Sequence, residues 1–273
     1  MAREILDVLM EMRAKGEPYA VATVVETVGS VSAKTGAKAV IDHDGRVVAG
    51  WVGGGCAESS TCEAALRCLQ DGGTTVIDID LNDEVLGAGM PCGGSMRVYV
   101  EPVLPRPTLW IMGHGRVAEC LCLLGDLMGL NVVVNDPLVD RAYYPAATRL
   151  ITDDIDYEQL QPVQGDYVVI ATQHKGDHES MRRALASEAQ YIALVASRKR
   201  SRLVLEYLRE AGFDDAALQR VMAPSGLDLG ARTPEEIALC VVSEIVMVRR
   251  GGSGLRMRDL LDADPRRTRA VSG

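Results

Sequence analysis

A glycine turn between a strand pattern and a helix pattern constrains the fold of this chain more than any other feature. The turn, Gly113-His114-Gly115-Arg116-Val117-Ala118, follows the apolar run 109–112 and precedes a helix predicted over 116–128. In a G-x-G-x-x-A turn the glycines let the backbone bend tightly and approach a pyrophosphate, and the helix N-terminus supplies amides and a positive dipole. The pattern predicts a Rossmann-type unit that binds a nucleotide or dinucleotide. A close helix–strand contact without any ligand would use the same glycines.

Strand and helix patterns alternate through the rest of the second half. Strands are predicted over 132–135, 167–171, 191–195 and 219–222, and helices over 177–188, 199–211 and 234–248. Alternation at this spacing is typical of a parallel, doubly wound sheet. The last helix has a clear start, because Thr233 can cap it, Pro234 suits its first position and Glu236 completes a capping box. We expect a Rossmann-like nucleotide-binding domain over 105–250 and a flexible C-terminal tail over 251–273.

The first half lacks this regular alternation and predicts a small mixed α/β domain over 1–104. An amphipathic helix over 1–15 precedes strands over 19–27, 37–41, 46–51, 74–80 and 95–101, with a second helix over 57–70. Three prolines between Pro102 and Pro107 form a stiff connection at its end. A chain of 273 residues is long enough for two such domains, each with its own core.

Composition excludes several classes of partner. The net charge of −9 argues against a nucleic-acid binder, because sequence-independent affinity for phosphate backbones is built from Lys and Arg contacts. No apolar run approaches the ~20 residues that span a bilayer, and the charged first helix is not a signal peptide. Seven cysteines without a C-x2-C pair fit a reducing compartment and give no metal site. We expect a cytoplasmic protein with no membrane span.

Two cysteines in glycine loops are the candidate reactive groups. Cys56 follows Gly53, Gly54 and Gly55 at a helix start, where free amides and the dipole favour the thiolate over the thiol. Glu58 in the same turn opposes this effect because it carries a negative charge. Cys92 lies in a second glycine loop with little side-chain bulk around it. The remaining cysteines are expected to be small buried apolar residues: Cys62, Cys68, Cys120, Cys122 and Cys240.

The side chains around the turn point to an anionic ligand. His114 and Arg116 are well placed to contact phosphate oxygens, although a surface-exposed pair would have the same sequence. Asn135 and Asp136 end the next predicted strand, about twenty residues on, where a Rossmann domain contacts the ribose. A neutral Asn135 would weaken the rejection of a 2′-phosphate. The sequence leaves open which of the two side chains meets the sugar.

Five segments together resemble the XdhC/CoxI family of molybdenum hydroxylase maturation factors. They are 50–58 (GWVGGGCAE), 91–94 (PCGG), 113–118 (GHGRVA), 223–230 (APSGLDLG) and 233–238 (TPEEIA). The match runs in order over nearly the whole chain, and the paired GGC-x-E and PCGG motifs are jointly specific. The resemblance implies a chaperone that binds molybdenum cofactor, or its cytosine dinucleotide form, and assists its sulfuration and its insertion into xanthine or carbon monoxide dehydrogenase.

The resemblance also implies roles for individual residues. Cys56, Cys92 and Glu58 would carry the chemistry, in a cleft over the Rossmann sheet. Cofactor contacts would come from Gly53, Gly54, Gly55, Gly93, Gly94, Gly113, His114, Gly115, Arg116, Val117, Ala118, Asn135, Asp136, Thr172 and Asp228. The implied partners are a molybdenum hydroxylase apo-enzyme and a cysteine desulfurase or sulfurtransferase, and exposed apolar helices favour a homodimer. The Rossmann turn would hold an adenine nucleotide, NAD(P) or FAD.

Two departures from the family pattern affect these expectations. His114 stands where the family turn usually has alanine, and Arg116 stands where it has histidine, so the nucleotide preference is expected to differ. The loop 172–177 reads TQHKGD instead of a T-H-D-H-like pattern, which weakens any metal or catalytic role for it.

The residues alone leave two other functions open. One is an NAD(P)- or FAD-dependent oxidoreductase of a small substrate, in which a cysteine takes part in redox chemistry. The other is a regulatory module that senses a nucleotide. Redox turnover without a molybdoenzyme partner would favour the first, and nucleotide binding without delivery or catalysis would favour the second.

Overall fold

The chain forms two compact units, Met1–Arg106 and Pro107–Gly273, in a computed structural model. The structure describes residues 4–81, 93–136, 141–172 and 177–261. Each unit has its own sheet, so the mixed α/β architecture expected from the sequence is confirmed. Within the described ranges, no helix combines the length and the apolar character needed to cross a bilayer.

Unit 1 is built on a five-stranded antiparallel sheet. In chain order its elements are α1 (Ile5–Lys15), β1 (Tyr19–Gly29), β2 (Lys38–Asp42), β3 (Val47–Gly50), α2 (Cys56–Asp71), β4 (Thr75–Asp80) and β5 (Gly94–Val103). The strand order is β3-β2-β1-β5-β4, with the long pair β1 and β5 at the centre. Residues of β1 alternate between the two faces, so Ala20 and Ala22 pack against α2 while Tyr19 and Val21 pack against α1.

Unit 2 is built on a six-stranded parallel sheet in the order β11-β10-β9-β6-β7-β8. The strands are β6 (Thr108–Gly113), β7 (Asn131–Asn135), β8 (Arg149–Ile151), β9 (Tyr167–Ala171), β10 (Tyr191–Leu194) and β11 (Val221–Met222). All five pairings are parallel. In unit 2 the chain forms β6 first and then adds β7 and β8 on one side of it. It then crosses to the other side of β6, where it adds β9, β10 and β11 in turn. This is the doubly wound order of a Rossmann sheet.

Helices cover both faces of the parallel sheet. α3 (Arg116–Leu127) and α7 (Pro234–Arg250) pack on one face, where Leu109 and Ile111 of β6 are buried. α4 (Asp177–Leu185), α5 (Arg198–Glu210) and α6 (Asp215–Gln219) pack on the other, against Trp110 and Met112. Because the helices change face between β6 and β9, the carboxyl ends of these two strands border the crevice where such sheets bind ligands.

Most predicted elements lie within a few residues of their observed bounds, and the differences involve short elements. The capping box of α7 is confirmed: Glu236 N–H donates to Thr233 Oγ1 at 3.3 Å, and the Glu236 carboxylate accepts from Thr233 N–H at 3.1 Å. The sequence did not predict β8, α6 or a 3₁₀ turn at Arg141–Tyr143. Within the expected tail, Met257–Leu261 form a short helix, α8.

Candidate functional site

The glycine turn predicted from the sequence joins β6 to α3 at the edge of the crevice. Gly113 and Gly115 have φ of 120° and 89°, a region that side-chain-bearing residues rarely adopt. Gly115 is the N-cap of α3, and no side chain caps the helix there. By contrast α5, α6 and α7 are capped by the side chains of residues 197, 214 and 233. The first amides of α3 are therefore not covered by a capping side chain, which leaves all of them available to an anion.

The two glycines of the turn serve different purposes. A Cβ on Gly113 would lie 2.4 Å from the carbonyl oxygen of Ala171, its partner on β9, so this glycine is required by the close approach of two strands. Gly115 has φ 89° and ψ −177°, a conformation that is essentially restricted to glycine. The packing explanation therefore accounts for Gly113, whereas Gly115 is required by the conformation of the turn. Ala118, one helical turn on, is fully buried against the sheet.

Arg116 has partners in its own chain. Its guanidinium donates to Glu235 Oε1 at 2.9 Å and to Glu119 Oε2 at 3.1 Å, and its side chain is 58% exposed. Hydrogen bonds to these carboxylates raise the pKa of Arg116. The pKa of Glu235 lies below its usual range. The largest cause is a hydrogen bond from the backbone amide of Glu235 itself, and the second is the hydrogen bond from Arg116. The phosphate contact predicted for Arg116 stays a prediction, and it requires the guanidinium to exchange a carboxylate for the ligand.

The residues predicted to meet a ribose are buried at the end of β7. Asn135 donates from Nδ2 to Asp154 Oδ2 at 3.1 Å, and Asp136 accepts from Tyr144 Oη at 3.2 Å. A carboxylate can only accept, so Asp154 fixes the Asn135 amide, and Asn135 Oδ1 has no hydrogen-bond partner among the described residues. A buried acceptor of this kind usually has a partner. The ribose contact stays a prediction, with Asn135 Oδ1 as the unsatisfied acceptor beside the turn.

Asp154 was not found from the sequence, although it organises this corner of the sheet. It is buried and accepts from the backbone amides of Glu158 and Gln159, both at 2.8 Å, as well as from Asn135. The pKa of nearby Tyr157 is raised, mainly because the side chain is buried. Smaller contributions come from the negative charges of Asp177, Asp154 and Asp136. A single aspartate in a loop gives no local signal that would have predicted this role.

Thr172, predicted as a cofactor contact, lies at the end of β9 next to the crevice. Its hydroxyl donates to Asp177 Oδ1 at the start of α4, and Arg200 at the start of α5 donates to Asp177 Oδ2. Asp177 is 3% exposed, so its charge is compensated inside the protein by Arg200. The bonds join one strand end and two helix starts. The residues between Thr172 and Asp177 lie outside the described residues.

Cys56 is exposed at the first position of α2, where the sequence places it. Gly55 is the N-cap, with φ 59° and no side-chain cap, and a Cβ on Gly54 or Gly55 would meet open space. Gly53 is buried, and a Cβ there would lie 3.0 Å from that of Ala57. The thiol therefore lies at an open, uncapped helix start beside the exposed Glu58. The predicted reactivity of Cys56 stays a prediction.

The second glycine loop is described only in part. Cys92 lies outside the described residues, so its predicted role stays a prediction. Gly93 is exposed with φ 54°, and Gly94 is the buried first residue of β5. A Cβ on Gly94 would lie 2.5 Å from the carbonyl oxygen of Val28 on β1. Packing between neighbouring strands is therefore enough to require glycine at this position.

The other cysteines differ from Cys56 in their surroundings. Cys68, Cys120, Cys122 and Cys240 are buried, as expected for small apolar residues, and Cys62 is half-buried. Burial raises the pKa of Cys122 to about 11. Burial, with Glu58 and Asp42 as smaller contributions, raises the pKa of Cys62. Raised pKa values keep the thiols of Cys62 and Cys122 protonated at neutral pH, which makes them poor nucleophiles.

One carboxylate helps to hold the loop 223–230 against the sheet. Glu244 of α7 accepts from the Gly226 amide at 2.8 Å and from Tyr191 Oη at 2.6 Å. A Cβ on Gly226 would lie 3.0 Å from that of Cys240. Asp228, predicted as a cofactor contact, lies exposed on the same loop. Packing against Cys240 therefore explains the glycine at position 226. The cofactor contact predicted for Asp228 stays a prediction.

An open pocket in unit 1 contains none of the predicted site residues. It lies at the ends of β1, β4 and β5, where Arg97 forms ion pairs with Asp78 at 2.9 Å and Glu26 at 3.4 Å. These pairs are solvent-exposed and of little energetic weight. Over the described ranges, no three His, Cys, Asp or Glu side chains are grouped so that they could hold a metal ion.

The fold and the turn define a class: a mixed α/β unit joined to a Rossmann-type domain with a glycine turn at its crevice. Comparison with protein families identifies the member of this class. The XdhC Rossmann domain matches residues 109–245, half of the chain, and the XdhC and CoxI family matches residues 12–80. The chain belongs to the XdhC/CoxI family, and the resemblance seen in the sequence motifs is confirmed.

Several curated proteins are similar to this chain. Uncharacterized protein YqeB of Escherichia coli (strain K12) is 30% identical, over 87% of this chain and 44% of its own length. A probable xanthine dehydrogenase component of Bacillus subtilis (strain 168) is 28% identical, over 56% of this chain and 46% of its own length. The chain thus spans less than half the length of these two relatives.

Two further similarities extend over nearly the whole chain. The molybdenum cofactor insertion chaperone PaoD of Escherichia coli (strain K12) is 24% identical, over 90% of this chain and 88% of its own length. A solved structure described as a xanthine dehydrogenase from Bacillus halodurans covers 90% of this chain and 96% of its own, with 22% identity and a TM-score of 0.48.

Proposed function

We propose that this chain is a maturation factor for a molybdenum hydroxylase. It binds molybdenum cofactor or its cytosine dinucleotide form as cargo, binds a nucleotide at the Rossmann turn, and assists sulfuration and insertion of the cofactor. The observation that carries the proposal is the similarity to a molybdenum cofactor insertion chaperone over 90% of this chain and 88% of that relative. The proposed partners are a molybdenum hydroxylase apo-enzyme and a sulfur donor of the cysteine desulfurase or sulfurtransferase class.

The turn at the start of α3 fits a nucleotide in three respects. Its first amides lack a capping side chain, Gly115 has the conformation that lets a pyrophosphate approach the backbone, and Asn135 Oδ1 is an unsatisfied acceptor nearby. In this proposal the amides of residues 115–118 and His114 contact the phosphates. Asn135 accepts a hydrogen bond from a sugar hydroxyl. Arg116 contributes when a ligand phosphate replaces Glu235 as its partner.

Cys56 is the residue we propose to act on the cargo. It is exposed at an uncapped helix start with space around the two preceding glycines. A thiolate is a soft ligand, suited to a molybdenum–sulfur centre or to carrying a sulfane sulfur received from a donor. Thr172, Asp228, Gly93, Gly94 and Cys92 complete the proposed contacts as the family resemblance implies.

The test of this function combines cargo detection with partner activity. The full chain is purified from cells that make molybdenum cofactor and from cells that cannot, and native mass spectrometry compares the bound mass. A pterin cofactor found only in the first sample supports the proposal. In the same cells the activity of the molybdenum hydroxylase is measured with wild type, Cys56→Ser and the control Cys62→Ser.

The variants distinguish the proposed chemistry from a structural role of the thiol. We expect Cys56→Ser to stop maturation without changing the thermal unfolding of the chain, because its side chain is exposed, and Cys62→Ser to keep most of the activity. Full hydroxylase activity with Cys56→Ser contradicts the role of Cys56. A preparation that carries a flavin or nicotinamide and oxidises a small substrate without the partner contradicts the maturation function as a whole.

A further inference from the structure

The first turn of α5 concentrates positive charge in a chain of net charge −9. Arg198, Lys199, Arg200 and Arg202 lie in its first five residues. Among the described residues, only Arg200 of these four forms an ion pair, with Asp177. Arg198, Lys199 and Arg202 are exposed. The two residues at the very start of the helix thus bring two positive charges that the described part of the protein does not neutralise.

Ser201, in the same turn, has a buried hydroxyl without a partner. The residue is 2% exposed, and its Oγ forms no hydrogen bond with any described residue. A serine within a helix commonly donates to the carbonyl four residues earlier, but that carbonyl of Ser197 accepts the Ser201 amide, at 2.9 Å, and not its hydroxyl. A buried hydroxyl without a partner costs free energy, which a ligand oxygen would recover.

The orientation of α5 directs this hydroxyl toward the helix start. In an α-helix the Cα–Cβ bonds tilt toward the N-terminus, so the Ser201 side chain covers the turn before it. Ser201 lies on the face that buries Val204 and Leu208 against the sheet. Ser197 caps one amide, that of Arg200 at 3.3 Å, which leaves the amides of residues 198 and 199 at the helix start.

From these observations we propose that the first turn of α5 binds a phosphate monoester, as a second anion site separate from the glycine turn. The amides and side chains of Arg198 and Lys199 contact the phosphate oxygens, and the Ser201 hydroxyl donates to one of them. The two cations at the very start of the helix, Arg198 and Lys199, match the two negative charges of a monoester phosphate. Arg200 keeps its bond to Asp177 and fixes the turn without contacting the ligand.

The position in the sheet separates such a ligand from the glycine turn. α5 follows β10, which is two strands from β6 across the crevice, about 10 Å at the usual strand spacing. The helices of these two strands lie on opposite faces. A phosphate at α5 therefore belongs to the side of the crevice opposite the nucleotide turn. The group that these residues would recognise is a phosphate dianion, proposed here as the monoester of a small organic molecule, and this inference stands whether or not a nucleotide binds at Gly113–Ala118.

The test is calorimetric titration of the full chain with ribose 5-phosphate and with inorganic phosphate at constant ionic strength. We expect saturable binding of one equivalent, tighter for ribose 5-phosphate than for inorganic phosphate. The double variant Arg198→Ala/Lys199→Ala should bind at least tenfold more weakly. Ser201→Ala should also weaken binding severalfold while its resistance to urea stays the same or rises, because an unpartnered buried hydroxyl is removed.

Two control variants make the outcome decisive. Arg209→Ala removes the same charge from the other end of α5, about 16 Å from Arg198, and should change affinity less than twofold. Gly129→Ala, outside both proposed sites, should leave phosphate binding unchanged. The double variant should keep the wild-type affinity for a nucleotide, so failure here is distinct from failure of the nucleotide assignment. Absence of saturable binding, or equal losses in Arg209→Ala and the double variant, overturns the site. Inorganic phosphate binding as tightly as ribose 5-phosphate overturns the organic ligand.

Discussion

Replacing Gly115 by alanine should separate the conformational role of the turn from its binding role. Gly115 has φ 89° and ψ −177°, where a residue with a Cβ costs about 1–3 kcal/mol of backbone strain. A domain with about 5–15 kcal/mol of stability tolerates this cost and stays folded. The added methyl group also lies where the backbone must approach a pyrophosphate, so nucleotide affinity should fall at least tenfold, or about 1.4 kcal/mol.

A matched control exists at the other end of α3. Gly129 also has positive φ, 73°, and a Cβ there meets nothing within 4 Å. Gly129→Ala should therefore cost about 1–2 kcal/mol of stability through strain alone, with no effect on nucleotide binding. Gly113→Ala is not a suitable variant, because its Cβ would lie 2.4 Å from the Ala171 carbonyl oxygen and force two strands apart.

The assay pairs urea unfolding with calorimetric titration of ATP, NAD and FAD in turn. Wild type should bind at least one of these ligands, Gly129→Ala should match it within twofold, and Gly115→Ala should bind at least tenfold more weakly at similar stability. Unchanged affinity in a folded Gly115→Ala protein would refute the reasoning. Gly115 would then be required by the strand–helix connection alone.

Three further predictions concern charge and burial in unit 2. Arg116→Ala should weaken nucleotide binding roughly tenfold. Glu235→Gln removes the competing carboxylate and should strengthen binding in the same titration. Affinity changes below twofold in both variants would mean that Arg116 and Glu235 form only a surface ion pair. Asp166 is 5% exposed and accepts three hydrogen bonds, at 2.7, 3.1 and 3.2 Å, so in urea unfolding Asp166→Ala should lose about 3 kcal/mol or more. The exposed Asp153→Ala should lose less than about 0.5 kcal/mol, and equal losses would contradict the account. Burial raises the pKa of Cys122 from 9.0 to about 11, so its contribution to stability is complete below pH 9 and is lost as pH rises toward 11. Between pH 9 and 11 the free energy of unfolding should fall by up to roughly 1.4 kcal/mol per pH unit, and it should fall less steeply in Cys122→Ala. Equal slopes of unfolding free energy against pH in the two proteins would contradict this prediction.

Tertiary contacts explain which parts of the site could not be predicted. Glu235, Asp154 and Arg200 lie 119, 19 and 23 residues along the chain from the residues they contact, which are Arg116, Asn135 and Asp177. No local pattern predicts these contacts. The sequence favoured Arg116 as a phosphate ligand because position in a turn is visible and a distant carboxylate is not. The short elements β8 and α6, of three and five residues, contain too few residues to show a periodic pattern.

The sequence by itself determined the order and class of the two units, the glycine turn, the helix starts at Cys56 and Arg116 and the capping box of α7. These features depend on residues within a few positions of each other, whose periodicity and backbone preferences act locally. Only the tertiary structure decided that Gly113 is required by packing against Ala171, that the Arg116 charge is shared with two carboxylates, and that Ser201 is buried without a partner among the described residues. Burial and hydrogen-bond partnership depend on which distant segments the sheet brings together, and that is a property of the assembled fold.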